Sequence, residues 1–146
     1  MKQPRMAYMM TLTLVLALGA VACGEDSSPS LDGTLWALES YGPQGATRAL
    51  LADTEITAEF DGSEDRLTGS AGCNSYFADY AVEGSDLTLS ALTWTERFCL
   101  NPQGVLDQER SYLTVLGSVD RFDVVDTTLR LFYSGGLLVF ETREGG

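Results

Sequence analysis

The sequence predicts an α+β domain that is mostly β, an antiparallel meander closed by a single helix. Three observations lead there. Short apolar segments with the two-residue period of half-buried strands recur between Thr34 and Thr142. The connectors between them, "DGSED", "EGSD", "DTT" and "SGG", are rich in the residues that turns require. A single stretch, "NPQGVLDQERSYLTVLG", switches to helical spacing.

The chain starts with "MKQPRMAYMMTLTLVLALGAVAC". A basic start (Lys2, Arg5), an apolar run from Met6 to about Leu18 and small residues before Cys23 follow the order of a secretory signal, residues 1–22. The run is too short for a membrane-spanning helix, which needs about 20 residues. Ala20-Val21-Ala22 fits an ordinary small-x-small cleavage site. Followed at once by Cys23, the same residues also resemble a bacterial lipobox, with Ala20 where Leu is usual. Lipidation of Cys23 is the favoured reading, because "GEDSSPS" then provides a polar tether over residues 23–31. Several acyl chains on one residue hold a protein firmly at a bilayer, whereas one chain is marginal.

The folded domain is placed at 32–146. "TLWALES" alternates Leu35, Ala37 and Glu39 with Trp36, Leu38 and Ser40. "TEITAEF" puts Ile56, Ala58 and Phe60 on one face, with Glu55, Thr57 and Glu59 opposite. "RLTGSAG", "SYFADYAV", "DLTLSAL", "DRFDVV", "TLRLFY" and "LLVFET" continue the series. Short turns between successive strands imply antiparallel pairing. For the helix, Asn101 is the expected N-cap, Pro102 the first helical residue and Gly117 the stop, with Gly104 inside the first turn. Glu109 shares the apolar stripe of Val105, Tyr112 and Leu116, so its carboxylate must reach the rim or find a partner in a loop or in an arginine such as Arg97.

Composition excludes much chemistry. There is no histidine among the 146 residues, and no lysine after Lys2. Ser-His-Asp and Cys-His catalysis, histidine metal sites, Schiff bases and Ser-Lys pairs are therefore out of reach. Past residue 22 the chain holds 7 arginines against 21 acidic residues, a net charge of −14. That charge keeps a protein soluble and disfavours nucleic acid as a partner. "DGSED" (Asp61–Asp65) clusters carboxylates without calcium-loop spacing and reads as a solvated turn. Tyr76, Phe77 and Tyr80 read as core and rim of a strand, or as the lining of a cleft. A hydrolase would need two carboxylates converging in one pocket. No catalytic residue, metal site or cofactor is expected.

The order of segments is more specific. Gly33, Thr34 and Trp36 open the domain. Gly69, Ser70, Cys73 and Asn74 form a Gly-Ser-x-x-Cys-Asn block, Thr95 and Cys99 a Thr-x-x-x-Cys, and a Glu109-bearing helix and closing strands follow. Over residues 31–142 this resembles the META domain family of HslJ-like bacterial envelope proteins. The resemblance implies an antiparallel sheet curled into a partial barrel with one packed helix, and often a lipoprotein. Members have been linked to heat shock, drug resistance and motility or virulence, without an established reaction. The expected role is a non-enzymatic, exported binding or envelope-maintenance module, anchored in the bacterial cell envelope and facing the periplasm or exterior. Its expected partners are the membrane and an envelope protein or apolar ligand. The alternative is a carrier or pilot protein holding an acyl chain or apolar peptide in a cracked barrel.

Cys73 and Cys99 are expected to form a disulfide. An exported chain matures in an oxidising compartment, and three cysteines less a lipidated Cys23 leave a pair. A nucleophile would lack a base, and a metal site would lack ligands. Ser70, Ala71 and Gly72 are small enough for close backbone approach, and closing such a loop contributes roughly 3 kcal/mol in the chain-entropy treatment. The rival is two free thiols buried as small hydrophobes.

Overall fold

A computed structural model describes residues 30–143. Nine strands and one helix follow in order: β1 (Leu35–Gly42), β2 (Arg48–Ala49), β3 (Thr57–Asp61), β4 (Arg66–Ser70), β5 (Ser75–Glu83), β6 (Asp86–Trp94), α1 (Val105–Leu116), β7 (Val119–Val125), β8 (Thr128–Tyr133) and β9 (Gly136–Thr142). The eight longer strands are those expected from the period-two pattern. β2, two residues laid against Ser40 and Tyr41 of β1, is too short to carry a period.

The barrel is closed, where a partial one was expected. β3 to β9 form an antiparallel meander in chain order, and β1 joins its two ends. One edge of β1 takes β3 at Leu35–Ala37, while the other zips along β9 from Trp36↔Thr142 to Gly42↔Leu137. Closure through β1 satisfies the β3 and β9 edges that an open meander would expose. One joint is thin. β6 pairs with β7 only at Asp86↔Arg121, reinforced by the Phe122 N–H donating to the Ser85 carbonyl at 2.9 Å.

An eight-stranded barrel is just wide enough for side chains to fill, and this one is filled. Trp36, Ile56, Phe60, Leu67, Tyr76, Leu129, Leu131, Leu138 and Phe140 are all buried within it. Tyr80 sits at the rim, edge-on to Phe60 with ring centroids 5.1 Å apart. Phe77 points outward. Two-residue loops, Gly84-Ser85, Asp126-Thr127 and Ser134-Gly135, link three of the hairpins.

The helix begins later than the Asn-Pro signal suggests. Gly104 is its N-cap at φ 90°, outside the right-handed helical region, so residues 101–104 form a turn and α1 starts at Val105. The end is as expected: Gly117 follows Leu116, and its N–H donates to the Leu113 carbonyl at 3.1 Å.

Gly69, opposite Tyr76 in the β4–β5 ladder, has no room for a side chain. An added Cβ would lie 2.7 Å from the Tyr76 hydroxyl and closer still to the Thr57 carbonyl. Gly69→Ala is expected to cost about 2 kcal/mol through overpacking. Urea unfolding reads this directly, and an unmoved midpoint would mean that β4 can shift outward at no cost.

Candidate functional site

Between β4 and β5 the chain turns tightly through Ala71-Gly72-Cys73-Asn74, with the Ala71 N–H donating to the Asn74 carbonyl at 2.7 Å. Small residues here let α1 approach; a Cβ on Gly72 would already touch Val105 at 3.6 Å. The turn directs the Cys73 and Asn74 N–H groups at Glu109. One Glu109 oxygen accepts from Asn74 N at 2.7 Å and from Cys73 N at 3.3 Å. The other accepts from Asn74 Nδ2 at 2.7 Å.

Asn74 is the second hub. Its Nδ2 also donates to the Arg97 carbonyl at 3.2 Å, and its Oδ1 accepts from Arg97 N at 2.6 Å and Thr95 Oγ1 at 2.9 Å. The Arg97 guanidinium donates to the Cys73 carbonyl at 2.8 Å. Cys73 and Cys99 are bridged, with Cα atoms 6.0 Å apart, an ordinary disulfide span. The turn, the return segment 95–99 and α1 are thus one clasp, with Glu109 and Asn74 buried at its centre.

This clasp absorbs the motif residues read from the sequence: Cys73, Asn74, Thr95, Cys99 and Glu109 converge. Both oxygens of Glu109 are engaged by three donors, which suits a structural tie rather than a proton carrier. Glu109 has its partner in a loop, as expected. Arg97 reaches the Cys73 carbonyl and not the carboxylate. Asn74 as the organising amide was missed, and its only signal was an Asn directly after the turn's cysteine. Cys23 lies outside the described residues. Asp61 accepts from the Ser63 N–H at 2.9 Å and Oγ at 2.6 Å within its turn; these bonds hold its carboxyl below the usual value. Among the described residues no three acidic or cysteine side chains group as metal ligands would.

Beneath the clasp, Tyr76 Oη donates to the Thr57 carbonyl at 2.8 Å and so receives the hydrogen of Tyr112 Oη, also at 2.8 Å. Burial pushes both phenols well above the ordinary tyrosine value near 10. A folded-state pKa raised above the unfolded one means that the unfolded chain loses these protons first. The contribution is complete below pH 10 and is lost as pH climbs above it, by up to about 1.4 kcal/mol per unit per phenol. Denaturant unfolding between pH 8 and 11.5 should be flat and then fall; for the Tyr112→Phe protein the fall should be shallower. Equal slopes would exclude Tyr112 from this linkage.

Between β6 and α1 lies a groove of about 370 Å³, lined by Leu92 and Trp94 of β6 and by Leu106, Glu109, Arg110, Leu113 and Thr114 of the helix. Trp94 is 46% exposed. Leu106 and Arg110 also border a second depression that reaches Leu100, so the apolar surface continues towards the exposed Phe98 and Leu100. The groove has one carboxylate, Glu109, and that group is committed to the clasp.

The chain is similar to the NMR structure of a protein from Burkholderia xenovorans, at 26% identity over 79% of this chain and 85% of that one, with a TM-score of 0.67. Its fold is also that of the crystal structure of a lipocalin-like protein from Bacteroides uniformis, at 18% identity over 78% of this chain and 100% of that one, with a TM-score of 0.52. No curated protein matches it. A family model described as META domain matches residues 29–145.

Proposed function

The chain belongs to the META domain family, and on that premise we propose that it is a non-enzymatic binding module of the bacterial cell envelope. In this reading it is exported, lipidated on Cys23 and held at a membrane by that anchor, facing the periplasm or the cell exterior. The observation that carries the binding role is the apolar groove between β6 and α1. Buried aromatic and branched side chains fill the barrel itself, so the expected apolar ligand belongs outside it, against Trp94 and Leu106. This relocates the carrier alternative too: an acyl chain would lie in the groove.

The test is site-specific photocrosslinking in intact envelopes. A photoreactive residue at Trp94 should give a defined adduct that the same residue at Glu39, exposed on the far side of the barrel, does not give. Identical products from the two positions would refute the groove as the binding surface. The anchor has its own test. Globomycin, which blocks lipoprotein signal peptidase, should arrest processing; unaffected processing into a soluble periplasmic form would refute lipidation of Cys23.

A further inference from the structure

The staves of the barrel separate where the groove lies. β6 is fully paired with β5 on one edge, from Glu83↔Asp86 to Tyr76↔Trp94. On the other edge its ladder with β7 is confined to Asp86↔Arg121, and only its far end, at Leu92 and Trp94, faces α1 across the groove. Alternate residues of a strand present their N–H and C=O groups to each side, so this edge offers a periodic row of donors and acceptors. A bulge sets what accompanies them. The register steps from Asp79↔Ser90 to Phe77↔Thr93, leaving Ala91 at φ 51° as the extra residue. The inward phase passes from Leu87 and Leu89 to Leu92 and Trp94, which turns the last two towards the helix.

We propose that the occupant of the groove is an extended, cationic polypeptide segment that adds to β6 as a further strand. This rests on the groove being the binding surface, as above. Three observations select the occupant. A row of unpaired backbone groups is matched by another backbone and not by an acyl chain. Apolar walls at Leu92, Trp94, Leu106 and Leu113 accept alternate apolar side chains. A chain with 7 arginines and 21 acidic residues past residue 22 attracts a basic partner at long range and repels a second copy of itself, and the groove's own guanidinium, Arg110, is paired with Asp107 at 3.3 Å.

The probe is a dodecapeptide library displayed on phage, selected against the full chain purified from the envelope, in about 0.01 M salt, where the field of the whole chain reaches the groove. Enriched sequences should alternate apolar residues with Lys or Arg. The best peptide should slow amide hydrogen exchange within Thr88–Trp94 roughly tenfold or more. N-methylation of its alternate backbone nitrogens should weaken binding by at least about tenfold, since each removed donor leaves an acceptor unmatched. Trp94→Ala, on an exposed side chain and checked by thermal melting for an intact fold, should weaken binding by about tenfold. Enriched sequences with helical apolar spacing, net acidic sequences or indifference to N-methylation would overturn the strand-addition proposal. Protection of β6 by concentrating the protein alone would identify a second copy as occupant and overturn it too. A fluorescent fatty acid or phosphatidylglycerol vesicles perturbing the groove where no peptide does would overturn the peptide and leave the binding reading standing. With no probe perturbing the groove, both fail.

Discussion

Glu109→Ala is expected to be the most damaging single substitution in the domain, costing about 3 to 5 kcal/mol. Three donors converge on this carboxylate: Cys73 N, Asn74 N and Asn74 Nδ2. Removing their acceptor leaves both backbone N–H groups and one of the two Asn74 Nδ2 hydrogens buried and unmatched, at about 1–3 kcal/mol per group before relaxation. The loss spreads, because Asn74 also ties down Thr95 and Arg97, and buried polar networks fail together. A native stability of about 5–15 kcal/mol leaves little after such a loss, and the melting temperature should fall by about 10–20 °C. Glu109→Gln separates shape from chemistry. Its single oxygen can serve the two backbone N–H groups or the Asn74 amide, but not both, so its cost should be intermediate. A double-mutant cycle with Asn74→Ala should show strong coupling. Additive costs of Glu109→Ala and Asn74→Ala would mean that the clasp is not one unit.

Loss of the Cys73–Cys99 bridge is the second large effect, expected at roughly 3 kcal/mol for a loop of 26 residues. The loop encloses β5 and β6, whose long ladder should persist without the bridge. The missing constraint acts on the unfolded chain and on the return segment beside Asn74. Cys73→Ala/Cys99→Ala should therefore unfold at lower urea with an altered denatured-state compactness, visible as a changed slope. Unreduced, denatured protein should take up no thiol label at Cys73 or Cys99. Labelling of both, or a double variant as stable as the parent, would remove the bridge from the account of stability.

How much of this could be read in the sequence depended on whether the cause was local. Eight strands were legible because burial on one side imprints a period of two, as in Ile56, Ala58 and Phe60, all fully buried. Barrel closure was not legible, since it depends on β1 and β9 finding each other's edges and no periodicity encodes that. Asn101 and Pro102 carry genuine start signals. The left-handed Gly104 overrode them, and φ is silent in a one-letter code. The clasp was half visible. Glu109 on an apolar stripe demanded a partner, but the partners are largely backbone N–H groups, which every residue has. The groove did leave a trace, in the shift of apolar phase from Leu87 and Leu89 to Leu92 and Trp94. A phase shift inside a strand is the mark of a bulge.

The joining of β1 to β9 makes the strand order circular. Trp36 lies opposite Thr142, and the Arg143 N–H donates to the Leu35 carbonyl at 2.9 Å, so the start of the first strand and the end of the last are neighbours. Chain connectivity is then a convention of the gene rather than a requirement of the barrel. A short flexible linker from Arg143 to Leu35, with new termini cut at Gly84-Ser85, should give the same barrel, its two ends still tied by Cys73 and Cys99. Refolded with the bridge intact, which keeps the severed β5–β6 pair local, the permutant should also fold faster than the natural order. The β1–β9 pairing, in the natural order between residues 95 to 106 positions apart, becomes a hairpin and sheds most of its loop-closure entropy.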